Sequence, residues 1–324
     1  MGDATDVFSF TAGEAEVEGG ESIGAVLARL GDEREDIVIV SPDLSTAPVA
    51  GLFAARHPER TFDCGIAEAN AMSIAAGLAA SGFIPFVVQM GAFSALKCGE
   101  QIRTDMAYTQ LPVRILSAWS GLAMGYFGTS HHAVEDIAIT RSITGLTVVA
   151  PSDPQSATAL LRSTLDHRGP VFFRIGSGDE GHLHDKPPAM PRGKFLRLRE
   201  GSRATIIATG MATHWAIAAA DILAGEGICV RVLDAVYLKP LDEEAILAAA
   251  RDTGGILTVE EHNVVGGLGT AVADVLARNG VAGRLGVHGL PDEDLLVGQP
   301  PELYAHYDLT PQGVAAKVRE LLNG

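Results

Sequence analysis

Cysteine is scarce in this chain, and the three cysteines are far apart. Cys64, Cys98 and Cys229 follow neither the spacing of a disulfide framework nor that of a metal-ligand set. The acidic N-terminus contains no apolar segment of signal-peptide length, and no run approaches the roughly 20 apolar residues of a membrane helix. We therefore predict a cytoplasmic protein that holds no metal ion of its own and does not associate with membranes.

Basic residues are few relative to acidic ones. The 324 residues include 24 Lys and Arg but 40 Asp and Glu, which gives a formal net charge of −16. A surface of this charge repels nucleic acid and anionic lipid, so we exclude both as partners. Hydrophobic residues make up 47% of the chain, which is typical of a globular protein, and the length is sufficient for two domains.

The common nucleotide-binding motifs are missing. The sequence contains no G-x-x-x-x-G-K-[ST] phosphate loop. The segment GGLGTAV (266–272) lacks the G-x-G-x-x-G spacing after a strand and the acidic residue about 20 positions further on. A tight turn into a packed helix explains this segment better. The interpretation of the chain as a nucleotide-dependent oxidoreductase is therefore supported by glycine-rich turns alone.

Short apolar runs alternate with longer helical patterns along the whole chain. The runs are continuous, as in parallel strands that are covered on both faces. The predicted strands are 36–41, 84–89, 112–118, 146–151, 170–176, 204–210, 229–235, 254–261 and 284–289. The predicted helices are 21–30, 67–81, 94–108, 133–143, 154–166, 212–225, 242–252, 268–278 and 311–322. This order predicts the α/β class with mostly parallel sheets.

One segment interrupts the alternation. Residues 176–195 are rich in glycine, proline and charge, which is typical of a linker. We predict two domains, 1–188 with an acidic N-terminal extension and 189–324, each with a mostly parallel sheet covered by helices.

Glu68 stands out in the segment TFDCGIAEANAMSIAAGLAASG (61–82), because its neighbours are nearly all apolar or small. A carboxylate in the first turn of a helix is usually only stabilised by the helix dipole. Apolar surroundings instead raise the pKa of a carboxyl group, which can then hold or pass a proton near neutral pH. We predict such a raised pKa for Glu68.

Two adjacent histidines, His131 and His132, follow a glycine-loosened turn and precede the helix predicted from residue 133. Ligands of α/β proteins bind in this kind of position, and a helix N-terminus lowers the pKa of an imidazole. The alternative is that one histidine caps the helix and the other is exposed.

Four blocks of sequence resemble one family in the order of that family. GIAEANAMSIAAGLAASG is similar to the segment around the catalytic glutamate of transketolase-like, thiamine-diphosphate-dependent enzymes. FGTSHHAVEDIAITRSITGLTVVAPSD resembles their next block. VLDAVYLKPLDEEAI and TVEEHNVVGGLGTAVADVLA resemble their carboxy-terminal domain. The similarity runs from about Glu21 to the end of the chain.

The resemblance implies roles for particular residues. Glu68 matches the glutamate that, when protonated, bonds a ring nitrogen of the cofactor's aminopyrimidine. His131 matches the histidine beside the thiazolium, so both are expected to be catalytic. Cofactor contacts are implied for Asp43, Met90, Phe93 and Cys98.

The positions that hold substrate in the family depart from its pattern. Trp119, Phe127 and Ser177 replace a histidine, an aspartate and an arginine of the phosphosugar clamp, whereas Arg174 remains. Loss of several charge-assisted bonds, each worth roughly 1.5–3 kcal/mol, disfavours tight binding of a phosphorylated sugar. We expect a non-phosphorylated and rather apolar acceptor, as in specialised metabolism.

The family's G-D-G motif, which with a later asparagine pair holds the diphosphate and Mg²⁺, does not occur. The resemblance therefore implies a pyrimidine-binding plus carboxy-terminal subunit of a split transketolase. A separate subunit would hold Mg²⁺ and share the thiamine diphosphate, in an α₂β₂ assembly that dimerises through this chain. The alternatives are a β subunit of a 2-oxo-acid dehydrogenase-type enzyme, another pyruvate-using carboligase, and a non-catalytic regulatory subunit.

Overall fold

The computed structural model of the chain describes residues 16, 17, 20–177 and 181–323. Within these residues two mostly parallel sheets are flanked by helices, which confirms the predicted α/β class. Most of the predicted acidic extension lies outside the described residues. No helix in the described part of the chain is both long enough and apolar enough to cross a bilayer.

The first sheet, as the described residues form it, has seven strands that arise mainly from continuous apolar runs. In chain order they are β3 (Ile37–Ser41), β4 (Thr61–Asp63), β5 (Ile84–Met90), β6 (Arg114–Ala118), β7 (Thr147–Val149), β8 (Val171–Arg174) and β12 (Tyr237–Lys239). Their order across the sheet is β12-β7-β8-β6-β5-β3-β4, and every pair except β12 with β7 is parallel. A short antiparallel ribbon, β1 (Glu16–Val17) with β2 (Gly20–Glu21), precedes this sheet.

The helices of the first half cover both faces of this sheet. They are α1 (Ile23–Glu33), α2 (Gly51–Arg56), α3 (Glu68–Ala80), α4 (Gly91–Ser94), α5 (Gly99–Gln101), a π-helix (Ile102–Ala107), α6 (Asp136–Ser142) and α7 (Pro154–Thr164), with 3₁₀ turns at Pro58–Arg60 and Gly125–Phe127. One hydrophobic cluster includes Met72 and Ile102, and a second on the other face includes Leu27 and Phe53.

The second sheet, again within the described residues, has five strands in the order β14-β13-β10-β11-β9. They are β9 (Leu196–Arg199), β10 (Thr205–Ala208), β11 (Arg231–Asp234), β13 (Ile256–Asn263) and β14 (Leu285–Leu290), and β9 alone among them is antiparallel to its neighbour. The accompanying helices are α8 (Ala212–Gly225), α9 (Glu243–Asp252), α10 (Leu268–Arg278), α11 (Pro300–His306) and α12 (Pro311–Asn323).

The two halves of the chain share structure. Strand β12 belongs by sequence to the second half but completes the first sheet, where Tyr237 pairs with Val149. The Lys239 ammonium anchors it by donating to the Arg141 and Ile143 carbonyls at 2.7 and 2.5 Å. Residues 237–239 therefore belong to the first sheet although they follow the predicted domain boundary at 188/189. The boundary itself remains a prediction.

One predicted helix, 94–108, is wrong as a single element. The chain instead forms the short helices α4 and α5 and the π-helix, separated by a turn at residues 95–98. Within that turn Cys98 is fully buried and donates its thiol to Gln89 Oε1 at 3.7 Å, whereas Lys97 faces Glu68. Cys98 thus points into the core while the adjacent Lys97 points to Glu68. We attribute the break in the helix to this pair of contacts.

Arg114 of β6 is fully buried and binds backbone carbonyls rather than a carboxylate. Its guanidinium donates to the carbonyls of Thr164, Leu165, His167 and Gly169 at 2.6 to 3.1 Å. Burial lowers the pKa of Arg114 to about 10, so the group stays charged at neutral pH. It thereby satisfies carbonyls at the end of α7 that have no helical partner.

We predict that Arg114→Met lowers the free energy of unfolding by about 3 kcal/mol, because several buried carbonyls lose charged donors. Arg114→Lys should lose less, since an ammonium keeps the charge but donates to fewer groups. Urea denaturation of the three proteins measures this order. Equal midpoints for Arg114→Met and the unaltered chain would contradict the proposed role of the guanidinium.

Candidate active site

Glu68 begins α3, which follows β4 at the carboxyl edge of the first sheet, where α/β proteins place ligands. The residue as a whole is 7% exposed, and its backbone carbonyl accepts a bond from Gln89 Nε2 at 2.9 Å. The inward face of α3 consists of four alanines and Met72, so the helix packs on the sheet and places Glu68 at the edge of the hydrophobic core.

The Glu68 carboxylate is paired with a cation. Lys97 Nζ lies 2.7 Å from Glu68 Oε2, and the lysine is half exposed. Burial alone raises the pKa of Glu68, but the bond from Lys97, a backbone bond and the lysine charge outweigh it, and the pKa is lowered. The predicted raised pKa is therefore wrong for this state of the chain, because the apolar pattern contained no sign of a lysine 29 positions away.

Phe93 and Met90 follow at the neighbouring strand end. Met90 is the last residue of β5, and Phe93 lies in α4 directly after it. The Lys97 ammonium sits over the Phe93 ring, 5.0 Å from its centroid. The lysine therefore joins the carboxylate of Glu68 to an aromatic face at the same sheet edge.

His131 packs against two aromatic rings. Its ring centroid lies 5.3 Å from that of Phe93, edge to face, and 4.7 Å from that of Phe127. Its Nδ1 is 2.9 Å from the Ser130 hydroxyl. Burial and the neighbouring charge of His132 lower the pKa of His131, so the imidazole is neutral at pH 7. A chain of contacts thus joins Glu68 to His131, through Lys97 and Phe93, and Phe127 packs on the far side of His131.

The helix predicted from residue 133 begins instead at Asp136. His131 and His132 lie in the preceding turn, and neither caps α6, so the lowered pKa of His131 comes from burial and not from a helix dipole. His132 is buried and its Nε2 is 3.2 Å from the Gly125 carbonyl, which holds the turn together.

Cys98 is placed away from any ligand surface. Its side chain has no exposed area, and burial, followed by the charge of Glu68, raises the pKa of its thiol to about 12. The structure gives no support for the predicted cofactor contact at this residue. The Cys98 thiol instead donates to Gln89 Oε1, and Gln89 Nε2 donates to the Glu68 carbonyl. Cys98 therefore positions Glu68 indirectly, through Gln89.

Asp43 lies at the end of β3, exposed and in the left-handed region with a φ of 63°. Its amide donates to Asp63 Oδ1 at 3.1 Å, and the Gly65 amide donates to the same oxygen at 2.9 Å. Asp63 therefore ties Asp43 to the loop that leads into Glu68, an arrangement that sequence reasoning missed.

Trp119 and Ser177 extend two adjacent strands, β6 and β8. The Trp119 amide donates to the Gly176 carbonyl at 2.9 Å, and Trp119 has a φ of 55°. Ser177 is exposed and Trp119 is partly buried. The two predicted substrate residues are thus neighbours at the carboxyl edge of the sheet.

Arg174, predicted to contact substrate, is buried in the contact between the two domains. Its Nε donates to both Asp136 carboxylate oxygens at 3.1 and 2.9 Å, and its Nη2 donates to the carbonyls of Ala133 and Glu261 at 3.3 and 2.8 Å. Burial lowers the pKa of Arg174, but the negative charges of Asp136 and Glu261 outweigh it, and the pKa is raised. These bonds assign Nε and Nη2 to the domain contact, and the substrate contact at Arg174 stays a prediction.

Residues of the second domain form hydrogen bonds with the loop that contains His131. The sequence did not indicate this contact. Glu261 Oε1 accepts bonds from the Leu122 amide at 2.7 Å and the Tyr304 hydroxyl at 2.6 Å. Gly121 has a φ of 69°, and a Cβ there would lie 2.2 to 2.4 Å from the Glu261 carboxyl atoms. The Asn263 amide also donates to the Val134 carbonyl at 2.9 Å. We call residues 119–134 the site loop.

Among the described residues no group of three or more His, Cys, Asp or Glu side chains is arranged to hold a metal ion.

Profiles of two protein domains match the sequence. The transketolase pyrimidine binding domain matches residues 15–179, and the transketolase C-terminal domain matches residues 193–314. This chain belongs to the transketolase family. The predicted resemblance is confirmed over nearly the whole sequence.

Several relatives of this transketolase-family chain are split proteins. It is 37% identical over 303 residues to one of the subunits of the apulose-4-phosphate transketolase of Phocaeicola vulgatus, a match that covers 93% of this chain and 96% of that protein. A solved structure described as a split gene transketolase, inactive beta4 tetramer, matches with a TM-score of 0.84 at 36% identity, covering 95% of this chain and 99% of the other.

The chain spans about half of other relatives. It is 37% identical over 302 residues to the 1-deoxy-D-xylulose-5-phosphate synthase of Syntrophotalea carbinolica, a match that covers 93% of this chain but 47% of that protein. Along nearly its whole length, the chain is similar to split transketolase subunits.

We predict that Lys97→Met reverses the direction of the Glu68 pKa shift, because burial then outweighs the remaining backbone bond. In the unaltered chain the lowered pKa stabilises the fold above the unfolded pKa, and this stabilisation is lost as pH falls through the folded pKa. In Lys97→Met the contribution changes sign and opposes folding at neutral pH. The effect is below about 1 kcal/mol, because the lysine is half exposed.

Carboxyl carbon NMR titration of Glu68 measures both pKa values. Lys97→Arg is the matched control and should keep the pKa low. An unchanged pKa in Lys97→Met would contradict the assignment.

We predict that Gly121→Ala displaces the site loop, because its Cβ would overlap the Glu261 carboxyl group. The matched control is Gly280→Ala, where φ is 64° and none of the described atoms lies within 4 Å of the added Cβ. Both variants carry the left-handed backbone penalty of about 1 kcal/mol. Only Gly121→Ala should speed hydrogen exchange of the Leu122 and Ala133 amides, and equal exchange in both variants would contradict the clamp.

Proposed function

We propose that this chain is the pyrimidine-side subunit of a two-component, thiamine-diphosphate-dependent enzyme that transfers a two-carbon ketol unit to a carbonyl acceptor. The observation that carries the proposal is the grouping of Glu68, Phe93 and His131 at one sheet edge, around a carboxylate that is almost covered. Membership of the transketolase family supports the same chemistry.

The surroundings of Glu68 fit a flat heteroaromatic ring. Ile66, two residues earlier in the chain, is 80% exposed, and Leu96, which precedes Lys97, is 58% exposed. Exposed apolar side chains of this size beside a carboxyl group offer contact area for a ring and a partner for its nitrogen. The Phe93 ring, now covered by Lys97, offers an aromatic face.

Each residue then has a definite task. Glu68 holds a proton for a ring nitrogen, which requires the Lys97 ammonium to move off the carboxyl group, since burial raises the pKa only when that contact is lost. Gln89 fixes the backbone of Glu68 through its bond to the Glu68 carbonyl, and Cys98 orients Gln89. His131 is neutral and can donate a hydrogen bond to the acceptor carbonyl from its protonated ring nitrogen. The cofactor, when bound, supplies a nucleophilic carbon.

A second chain is part of the proposal. The sequence has no G-D-G motif, and a relative that matches along nearly its whole length is named as one subunit of a transketolase, so we assign the diphosphate and Mg²⁺ to a separate subunit. A similar solved chain is described as inactive as a beta4 tetramer, which favours self-association together with a need for the partner. We propose an α₂β₂ assembly in which Asp43 and Met90 lie close to the shared cofactor.

The acceptor is proposed to be uncharged. Arg174 is engaged by Asp136, and Trp119, Phe127 and Ser177 add no positive charge to the site loop and its surroundings. A phosphorylated donor, of the kind that the relative's name apulose-4-phosphate transketolase indicates, would have its phosphate held by the partner chain.

The similarity to a 1-deoxy-D-xylulose-5-phosphate synthase supports a second candidate function. In this candidate the chain is a carboligase or dehydrogenase-type subunit that takes a 2-oxo acid as donor. Product analysis separates the candidates. Transfer from a ketose leaves an aldose shortened by two carbons, whereas a 2-oxo acid releases carbon dioxide.

We predict that Glu68→Gln lowers turnover at least about 100-fold in the complex with the partner chain, because an amide cannot hold the required proton. Glu100→Gln is the matched control, since Glu100 is exposed one turn beyond Lys97. Turnover is measured as ketol transfer to glycolaldehyde. Equal turnover of both variants would remove Glu68 from the mechanism and favour a regulatory subunit.

A further inference from the structure

A cleft of about 350 Å³ opens between the two domains. The first domain contributes residues that follow β6 and β8, and the second contributes the start of α8, one residue of β13 and the start of α11. The lining residues include Ser120, Tyr126, Ser177, Glu261, Gln299 and Tyr304. The cleft therefore lies at the carboxyl edge of the first sheet, but half of its wall belongs to the second domain.

Aromatic contacts join this cleft to the candidate active site. Tyr126, which lines the cleft, lies 4.7 Å from Phe127 between ring centroids, and Phe127 lies 4.7 Å from His131. Two successive ring contacts thus separate the cleft from the imidazole. A substrate whose carbonyl reaches His131 has the cleft within range of its remote end.

The hydroxyl groups of the cleft present acceptors. Ser120 donates its proton to the Ser117 carbonyl at 3.0 Å, and Tyr304 donates its proton to Glu261 at 2.6 Å. Tyr126 directs its hydroxyl to the Met124 sulfur at 3.3 Å. A hydroxyl that has given its one proton interacts with a ligand as an acceptor. Gln299 and Ser177, which also line the cleft, carry N–H and O–H donors, so the wall suits hydroxyl groups, which both donate and accept.

The charge of the wall agrees with this pattern. Of the residues that the structure describes, no lysine, arginine or histidine lines the cleft, and Glu261 is the one carboxylate there. The start of α8 also borders it, but the Thr213 and His214 amides donate to the Gly210 and Met211 carbonyls. These amides therefore do not provide the anion site that many helix N-termini form.

We propose that this cleft binds the uncharged, hydroxylated end of the acceptor, the end remote from the carbonyl that reacts beside His131. The proposal rests on the proposed function and adds to it a substrate class, a neutral polyhydroxylated aldehyde or ketone, which keeps the non-phosphorylated acceptor expected from the sequence but replaces its apolar character. It also assigns Tyr304 of the second domain to substrate binding, and apolar contacts of Met211 and Pro300 to the carbon chain.

Both tryptophans of the chain report on this cleft. Trp119 directly precedes Ser120, and the Trp215 ring lies 4.9 Å from that of Tyr304. The experiment titrates the full chain with D-ribose and with D-ribose 5-phosphate and follows intrinsic fluorescence. We expect a saturable change with D-ribose, and affinity for the phosphate at least about tenfold weaker.

Tyr304→Phe should weaken D-ribose binding about tenfold, because it removes an acceptor oxygen from the wall. The matched control is Tyr108→Phe, since Tyr108 is 87% exposed and does not line the cleft. Binding of the phosphate as tight as that of ribose, no saturable response to ribose, or equal binding by the two variants would each overturn the proposal.

Glu68→Gln separates this proposal from the proposed function. The substitution lies outside the cleft, so fluorescence-detected ribose binding should be unchanged while ketol transfer is lost. Loss of transfer without any ribose binding would overturn the cleft and leave the function. Ribose binding with unchanged transfer in Glu68→Gln would overturn the role of Glu68 and leave the cleft.

Discussion

The contact between Glu68 and Lys97 sets the chemical state of the whole candidate site. The Glu68 side chain is 8% exposed, so its carboxyl group is unfavourable as an anion unless it is paired, and the lysine supplies that pairing at 2.7 Å. The lysine is half exposed and returns to water when it leaves, so the pair can open if the carboxyl group takes up a proton at the same time. The same carboxyl group can therefore be an anion in the free chain and a proton holder beside a ring nitrogen.

The second domain contributes positioning as well as assembly. Three consecutive residues of β13 bind three different segments of the chain. Glu260 caps α10 through the amides of Leu268 and Gly269, Glu261 holds the site loop at Leu122, and His262 Nε2 accepts a bond from the Ala138 amide. One strand thus fixes a helix of its own domain and two segments of the other. The position of His131 consequently depends on residues more than 120 positions away in sequence.

The sequence predicted the sheets well and the side-chain partners poorly. Continuous apolar runs identified nine strands to within a few residues, and eight of them are buried along most of their length, because burial on both faces is a property of each run by itself. Strands β1, β2, β4, β9 and β12 were missed, since each has at most four residues and lies in the two-stranded ribbon or at a sheet edge, where pairing depends on a neighbour and not on the strand's own apolarity.

The candidate site shows the same division. Family resemblance identified Glu68, Phe93 and His131, which the structure brings together, but no local pattern could show that Lys97 faces Glu68. Arg174 was assigned to ligand contact by alignment, and residue type at an aligned position is a poor guide where neighbouring positions have changed. Its buried guanidinium illustrates the reason: Nε and Nη2 donate to Asp136 and to the carbonyls of Ala133 and Glu261, and these bonds join the two domains. An aligned arginine can therefore serve the packing of the domains, a role that its residue type alone does not reveal.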